Sequence, residues 1–211
     1  MWEVGWTQML DSTLRPVKDR LLAPLTRTSI GRLPPSAISA VGLAASLAAA
    51  AAAWQLLPAL AVTLWLVGRV ADGLDGTVAR ASHRSSDLGG LLDFVFDTIG
   101  YAAIPIGLAF GIDDRATWIA TSVLLAAFYL NSVSLGYVAA LLEKRSSGAD
   151  AQGHPTSAIL PRGLVEGTET IVFFTCALAF NEATAAIWWV MAAAVLFTAI
   201  ERVRWAMGAL R

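Results

Sequence analysis

Residues 72–97 read DGLDGTVARASHRSSDLGGLLDFVFD and set four carboxylates, Asp72, Asp75, Asp93 and Asp97, among long apolar runs. Asp72 and Asp75 are three residues apart, and Gly76 and Arg80 follow at further helical steps on nearly the same face. Gly89, Asp93 and Asp97 recur at i, i+4 and i+8, one stripe along one helix. If a turn around 81–87 joins the two helices, they should pack as an antiparallel pair whose acidic faces meet. Four carboxylates at close range repel and cannot all remain ionised without counter-charge. Arg69 and Arg80 supply two positive charges, and one or two divalent cations would supply the rest. Carboxylate oxygens are hard ligands that suit Mg²⁺, Mn²⁺ or Ca²⁺, and Mg²⁺ commonly shares its shell with substrate phosphates. Glycines at 76 and 89 leave room for a ligand against the backbone. Metal, arginine and cleared space together describe a site for a diphosphate. The competing readings are aspartates that only pair with arginines or cap helices, and a cation or proton pathway. A pathway needs polar groups continuing across the membrane, and the outer halves of these segments are apolar. Ionisable groups inside a membrane are functional by default.

The elements that position this cluster follow from composition. The chain has 211 residues, 56% hydrophobic and 15% charged, with mean hydropathy +0.62. A soluble domain is about 45–50% apolar and ~25% charged, so the fold class is an all-α polytopic integral membrane protein. Six apolar segments, at about 36–57, 58–79, 88–111, 116–142, 163–181 and 184–205, can each span a bilayer. Pro58 divides the first long run, and Asp113, Asp114, Asn181 and Glu182 mark tight turns. Trp2, Trp6, Met9, Leu10 and Leu14 space an N-terminal amphipathic surface helix. Residues 1–34 form this interfacial segment, 35–211 the catalytic six-helix domain, and 143–162 a polar loop. Arg15, Lys18, Arg20, Arg27 and Arg32 precede the first span; Arg80, Arg84, Lys144, Arg145 and Arg162 fall in loops on the same side; Arg202, Arg204 and Arg211 lie near the end. Arg115 stands alone opposite. That bias predicts both termini and the acidic site on the cytoplasmic side, with Trp54, Trp118, Trp188 and Trp189 near the outer interface. Gly42, Ser46, Ala49, Ala50, Gly107 and Gly111 permit close helix packing. Asn131 and Ser134 should bond to neighbouring helices. The net charge of −1 argues against nucleic-acid binding. The single cysteine, Cys176, cannot form an intrachain disulfide. The N-terminus lacks the pattern of a cleaved signal peptide.

The motif resembles the signature of the CDP-alcohol phosphotransferase family, D-x2-D-G-x2-A-R-x8-G-x3-D-x3-D. Asp72, Asp75, Gly76, Ala79, Arg80, Gly89, Asp93 and Asp97 occupy every fixed position. The resemblance implies that Asp72, Asp75 and Asp93 hold two divalent metals, Mg²⁺ or Mn²⁺, with Asp97 near them and counted among the metal residues. It implies that the metals bind the diphosphate of a CDP-linked donor, that Arg80 neutralises phosphate charge, and that Gly76, Ala79 and Gly89 admit the cytidine. Asp97 is then the general base that takes the proton of the acceptor hydroxyl. Homodimers are common in the family, and one is expected here. Many members carry P-N-x-x-T before the first span, where this chain reads Pro35, Ser36, Ala37, Ile38, Ser39. Ser36 either caps the first helix or touches substrate.

By this resemblance the reaction moves a phosphatidyl group from CDP-diacylglycerol to a polar alcohol, releasing CMP. Glycerol 3-phosphate, inositol-type and amino-alcohol acceptors are all compatible. The alternative is a CDP-aminoalcohol donor with diacylglycerol as acceptor. Arg162, Glu166 and Glu169, opening the fifth span, are candidate acceptor contacts. The competing reading of Glu166 and Glu169 pairs them with Arg202 or Arg204. His154 and Glu201 read as solvated surface.

Overall fold

The computed structural model describes residues 34–82, 86–145 and 167–210. Among these the elements are helices: α1 (Pro35–Trp54), α2 (Pro58–Ala81), α3 (Asp87–Ile112), α4 (Arg115–Lys144), α5 (Gly167–Ala179), a short 3₁₀ turn (Asn181–Ala183) and α6 (Thr184–Ala209). Each of the six apolar segments read from the sequence coincides with a helix. The expected surface helix and the loop at 146–162 lie outside the described residues.

Four stretches, Pro35–Trp54, Asp87–Ile112, Arg115–Lys144 and Asn181–Ala209, are long and apolar enough to cross a membrane. At 24 residues α2 spans about 36 Å, but Arg69, Asp72, Asp75 and Arg80 set it apart from those four. The described part of α5 is 13 residues long, shorter than the 163–181 span expected.

The chain divides into two compact units. In the first, α1, α2, α3 and residues 174–181 cluster. α1 is mostly alanine, the best helix former, with Pro35 at its first position, where no intrahelical N–H is required. It stops in a reverse turn in which Leu56 N–H donates to Ala53 O at 3.0 Å and Leu57 N–H to Ala52 O at 3.0 Å. Leu56 takes φ 52 there, a left-handed conformation usually left to glycine. Pro58 then opens α2.

α1 packs closely against both α2 and α3, and its small residues are the reason. A Cβ on Gly68 would lie 3.0 Å from Ser46 Oγ and 3.1 Å from Gly42 O. A Cβ on Gly111 would lie 2.7 Å from the carbonyl oxygens of Ala53 and Trp54, and one on Gly107 would run into Ala50 O. The small-residue pattern therefore does what the sequence indicates. α2 and α3 form the antiparallel pair expected, with their acidic faces together, although the closest backbone approaches of both are to α1. The two meet through long side chains, Trp65 beside Tyr101 and Arg69 beside Asp97.

In the second unit α4 packs on α6. Asp114 caps α4, accepting from Thr117 N–H at 2.8 Å, and these hydrogen bonds hold its carboxyl below the usual range. Arg202 on α6 is 6% exposed and donates to Asn131 Oδ1 at 2.8 Å and Ser134 Oγ at 3.1 Å on α4. Asn131 and Ser134 thus bond to a neighbouring helix, as expected. Trp54 and Trp189 expose their indoles, whereas Trp188 is buried.

Candidate active site

The cluster lies wholly within the first unit. α2 contributes Asp72 and Asp75 one helical step apart, and α3 contributes Asp93 and Asp97 one turn apart. Carboxylate oxygens of Asp72, Asp75 and Asp93 come within 4.8 Å of one another. Asp75 is 5% exposed, and Ser39 of α1 donates a short hydrogen bond to its Oδ2. Ser39 Oγ also lies 3.1 Å from Pro35 O, an alternative acceptor for the same proton.

Asp97 takes a different partner. Arg69 Nη1 donates to Asp97 Oδ1 at 2.7 Å and lies 3.8 Å from Asp72 Oδ2. The same nitrogen is 3.3 Å from Tyr101 Oη, and Nη2 reaches Ser46 Oγ at 3.4 Å. Its guanidinium carbon sits 4.7 Å from the Trp65 ring centroid and 5.2 Å from that of Tyr101. Phe174 stacks on Trp65 at 5.1 Å. The pair is held in an aromatic wall.

Beside the trio of acids opens a cavity of about 200 Å³ lined by Pro35, Ser36, Ser39, Asp75, Gly76, Ala79, Ser86, Gly89, Gly90 and Asp93. Pro34 occupies the N-cap position of α1, and no side chain caps that end. Capping by Ser36 is therefore excluded, and Ser36 lines the cavity instead. Ser86 is the residue that caps a helix here, accepting from Gly89 N–H at 3.1 Å. Gly76, Ala79 and Gly89 all border the cavity, as their positions in the motif imply.

The donor set fits a hard divalent cation. Three carboxylates converge, and Arg69, 3.8 Å from Asp72, makes its close contact with Asp97 outside the trio. Three negative groups this close are tolerable together when a cation shares their oxygens.

Of the other residues singled out from sequence, the side chain of Arg80 and all of Arg162, Glu166 and His154 lie outside the described part of the structure. Glu169 lies in the first turn of α5. Arg202 bonds Asn131 and Ser134, and Arg204 pairs with Glu201 at 3.1 Å on an exposed face. Ser39, Ser46, Trp65, Tyr101, Ser86 and Phe174 belong to the site's surroundings and were not singled out as functional. Ser39 had a signal, its place where many relatives carry threonine; the aromatic wall had none, since its members are scattered over three helices.

Comparison with known proteins agrees with this geometry. The chain is 33% identical over 176 residues to the inner membrane protein YnjF of Escherichia coli K12, covering 82% of each chain. It is 30% identical over 172 residues to the archaetidylinositol phosphate synthase of Pyrococcus horikoshii, covering 81% of this chain and 82% of that one. Its fold matches the crystal structure of Mycobacterium tuberculosis phosphatidylinositol phosphate synthase PgsA1 with CDP-DAG bound, at TM-score 0.68 and 21% identity, over 90% of this chain and 94% of that one. The structure of the same protein in complex with manganese and citrate matches at TM-score 0.67 and 21% identity, over 90% and 88%. Residues 32–200 match the model of the CDP-alcohol phosphatidyltransferase family. With the family's acids gathered beside its glycine-lined cavity, this chain belongs to the CDP-alcohol phosphatidyltransferases and is a membrane phosphotransferase of phospholipid biosynthesis.

Proposed function

We propose that the protein transfers a phosphatidyl group from CDP-diacylglycerol to the hydroxyl of a polar alcohol and releases CMP. The observation that carries this reading is the convergence of Asp72, Asp75 and Asp93 at the edge of the glycine-lined cavity. These three acids hold the divalent metal, with Asp97 at their margin. Two bound ions, Mg²⁺ or Mn²⁺, would neutralise the diphosphate and the charge that builds on its oxygens during transfer. Arg80 adds positive charge toward the phosphates, and Gly76, Ala79 and Gly89 leave space for the cytidine. Asp97 accepts the proton of the acceptor hydroxyl on a carboxylate oxygen. The acceptor oxygen bonds to the phosphatidyl phosphorus as the bond from that phosphorus to the CMP oxygen breaks, and CMP leaves with the electron pair. Asp97 then returns its proton to water.

The acceptor is a polar alcohol, with a phosphorylated polyol of the inositol type the first candidate. The 30% identical synthase named for archaetidylinositol phosphate supports that choice. Arg162, Glu166 and Glu169 are the proposed acceptor contacts. Six spans carry the site, the cytoplasmic side holds it together with both termini, residues 1–34 rest on the membrane surface, and the protein works as a homodimer.

The test uses purified full-length protein in nanodiscs with CDP-diacylglycerol, Mg²⁺ or Mn²⁺, and a panel of acceptors. The panel is inositol phosphate, inositol, glycerol 3-phosphate, serine and phosphatidylglycerol, and the readout is CMP. Asp97→Asn should bind CDP-diacylglycerol with native affinity and lose turnover by about 10²–10⁴-fold, the usual range for a positioned base. Near-native CMP release by that variant refutes the role given to Asp97. CMP formed only from a CDP-aminoalcohol and diacylglycerol reverses donor and acceptor, and cation flux without CMP ends the reading.

A further inference from the structure

We propose that Arg69 is a positioning residue that divides the four acids three and one, holding Asp97 out of the metal-binding trio so that its carboxylate serves as base. This role rests on the reaction proposed above. Arg69 lies outside the family signature, three residues before Asp72, and only 7% of its side chain is exposed. It is constrained from several sides. Nη1 is on Asp97 Oδ1 at 2.7 Å and near Tyr101 Oη at 3.3 Å, Nη2 is near Ser46 Oγ at 3.4 Å, and the Trp65 and Tyr101 rings flank the guanidinium. A planar guanidinium gripped this way has one orientation, and it fixes the direction of the carboxylate it bonds.

The choice of partner is what separates this from simple charge neutralisation. Asp72 is within reach of the same nitrogen, yet it stays at 3.8 Å and gives an oxygen to the trio, while Asp97 takes the close contact. Asp97 therefore has Oδ1 anchored by Arg69, which sets the direction of its carboxylate. It faces a small second cavity that Ser39, Gly42, Leu43, Asp72, Asp93 and Phe96 also line. Proton transfer depends on placement: an error of about 1 Å can cost about 10²-fold in rate. Positioning by a forked donor also predicts that charge alone is insufficient, so a lysine at this position should restore turnover in part.

Arg69→Gln and Arg69→Lys, in nanodiscs, are compared with the native protein by three measurements: Mn²⁺ binding by electron paramagnetic resonance, CDP-diacylglycerol binding without acceptor, and kcat and KM for CMP release. The expected result for Arg69→Gln is a fall in kcat of about 10²-fold, with Mn²⁺ stoichiometry, Mn²⁺ affinity and donor affinity kept. Arg69→Lys should recover part of the lost kcat at unchanged donor KM. Native kcat in Arg69→Gln overturns the role, and so does a loss of Mn²⁺ affinity in step with kcat in both variants. Native protein whose turnover needs Asp97 but ignores Arg69→Gln leaves the proposed reaction standing and removes Arg69 from it. Native protein without CMP release removes both.

Discussion

Asp75 is nearly buried, and the group that makes this tolerable belongs to a different helix. Ser39 donates to its Oδ2 and so restrains the orientation of the carboxylate. Hydrogen-bond partners of metal ligands typically govern affinity by about 10–100-fold. Ser39→Ala should therefore weaken Mn²⁺ binding by about that factor, and Ser39→Thr, which keeps the hydroxyl, should retain it. A spin-resonance titration decides; equal affinity in the alanine variant would show that the hydroxyl only ties down α1. The carboxylates themselves were legible from sequence because a fixed spacing on two helices places them on definite faces. Ser39 was legible only as a departure from the family pattern. Its partner, 36 residues away, could not be read.

At the scale of elements, α1 does more than begin the bundle. It takes the close contacts with both α2 and α3, and so leaves the gap between them that the acids and the cavity share. Small residues make this possible: a Cβ at Gly107 would collide with backbone of α1, which cannot move aside as a side chain can. Gly107→Ala should destabilise by about 1–3 kcal/mol, the usual cost of overpacking, and lower the melting temperature in detergent. A melting temperature unchanged in that variant would mean the two helices can separate freely. Gly136→Ala, where no atom lies within 4 Å of the added Cβ, is the control. The sequence spacing named the small residues correctly. It also indicated an antiparallel pair with its acidic faces together, which the structure has; that α1 comes closest to both was not legible, because side-chain volume on facing helices sets which pair comes close.

For the whole molecule, the expectation is that metal binding and stability are linked. A ligand that binds only the folded state at about 100 times its dissociation constant adds about 2.7 kcal/mol. Mn²⁺ or Mg²⁺ should therefore raise the melting temperature of the purified protein. A chelator should lower it and abolish CMP formation, and added Mn²⁺ should restore both. Chelated protein that melts and turns over as before would remove the metal from the site. The second unit bears on a different matter. Arg202 is engaged by Asn131 and Ser134 within it, so its buried charge already has a place in the packing of α6 on α4. The sequence could not reveal this, because arginine near a helix end serves a phosphate or a neighbouring amide equally well by residue type alone.

What the sequence determined by itself is the membrane character, the helical segments and the identity of the acids, because apolar length and i, i+3 and i, i+4 spacing are local properties of one chain segment. What only the tertiary structure decided is how the acids divide, with Asp72, Asp75 and Asp93 together and Asp97 bound to Arg69. That division depends on distances of a few ångströms between helices, set by the small residues of α1, by the glycines of α2 and α3 that face it, and by aromatic rings drawn from three other helices. No spacing within a single segment carries that information.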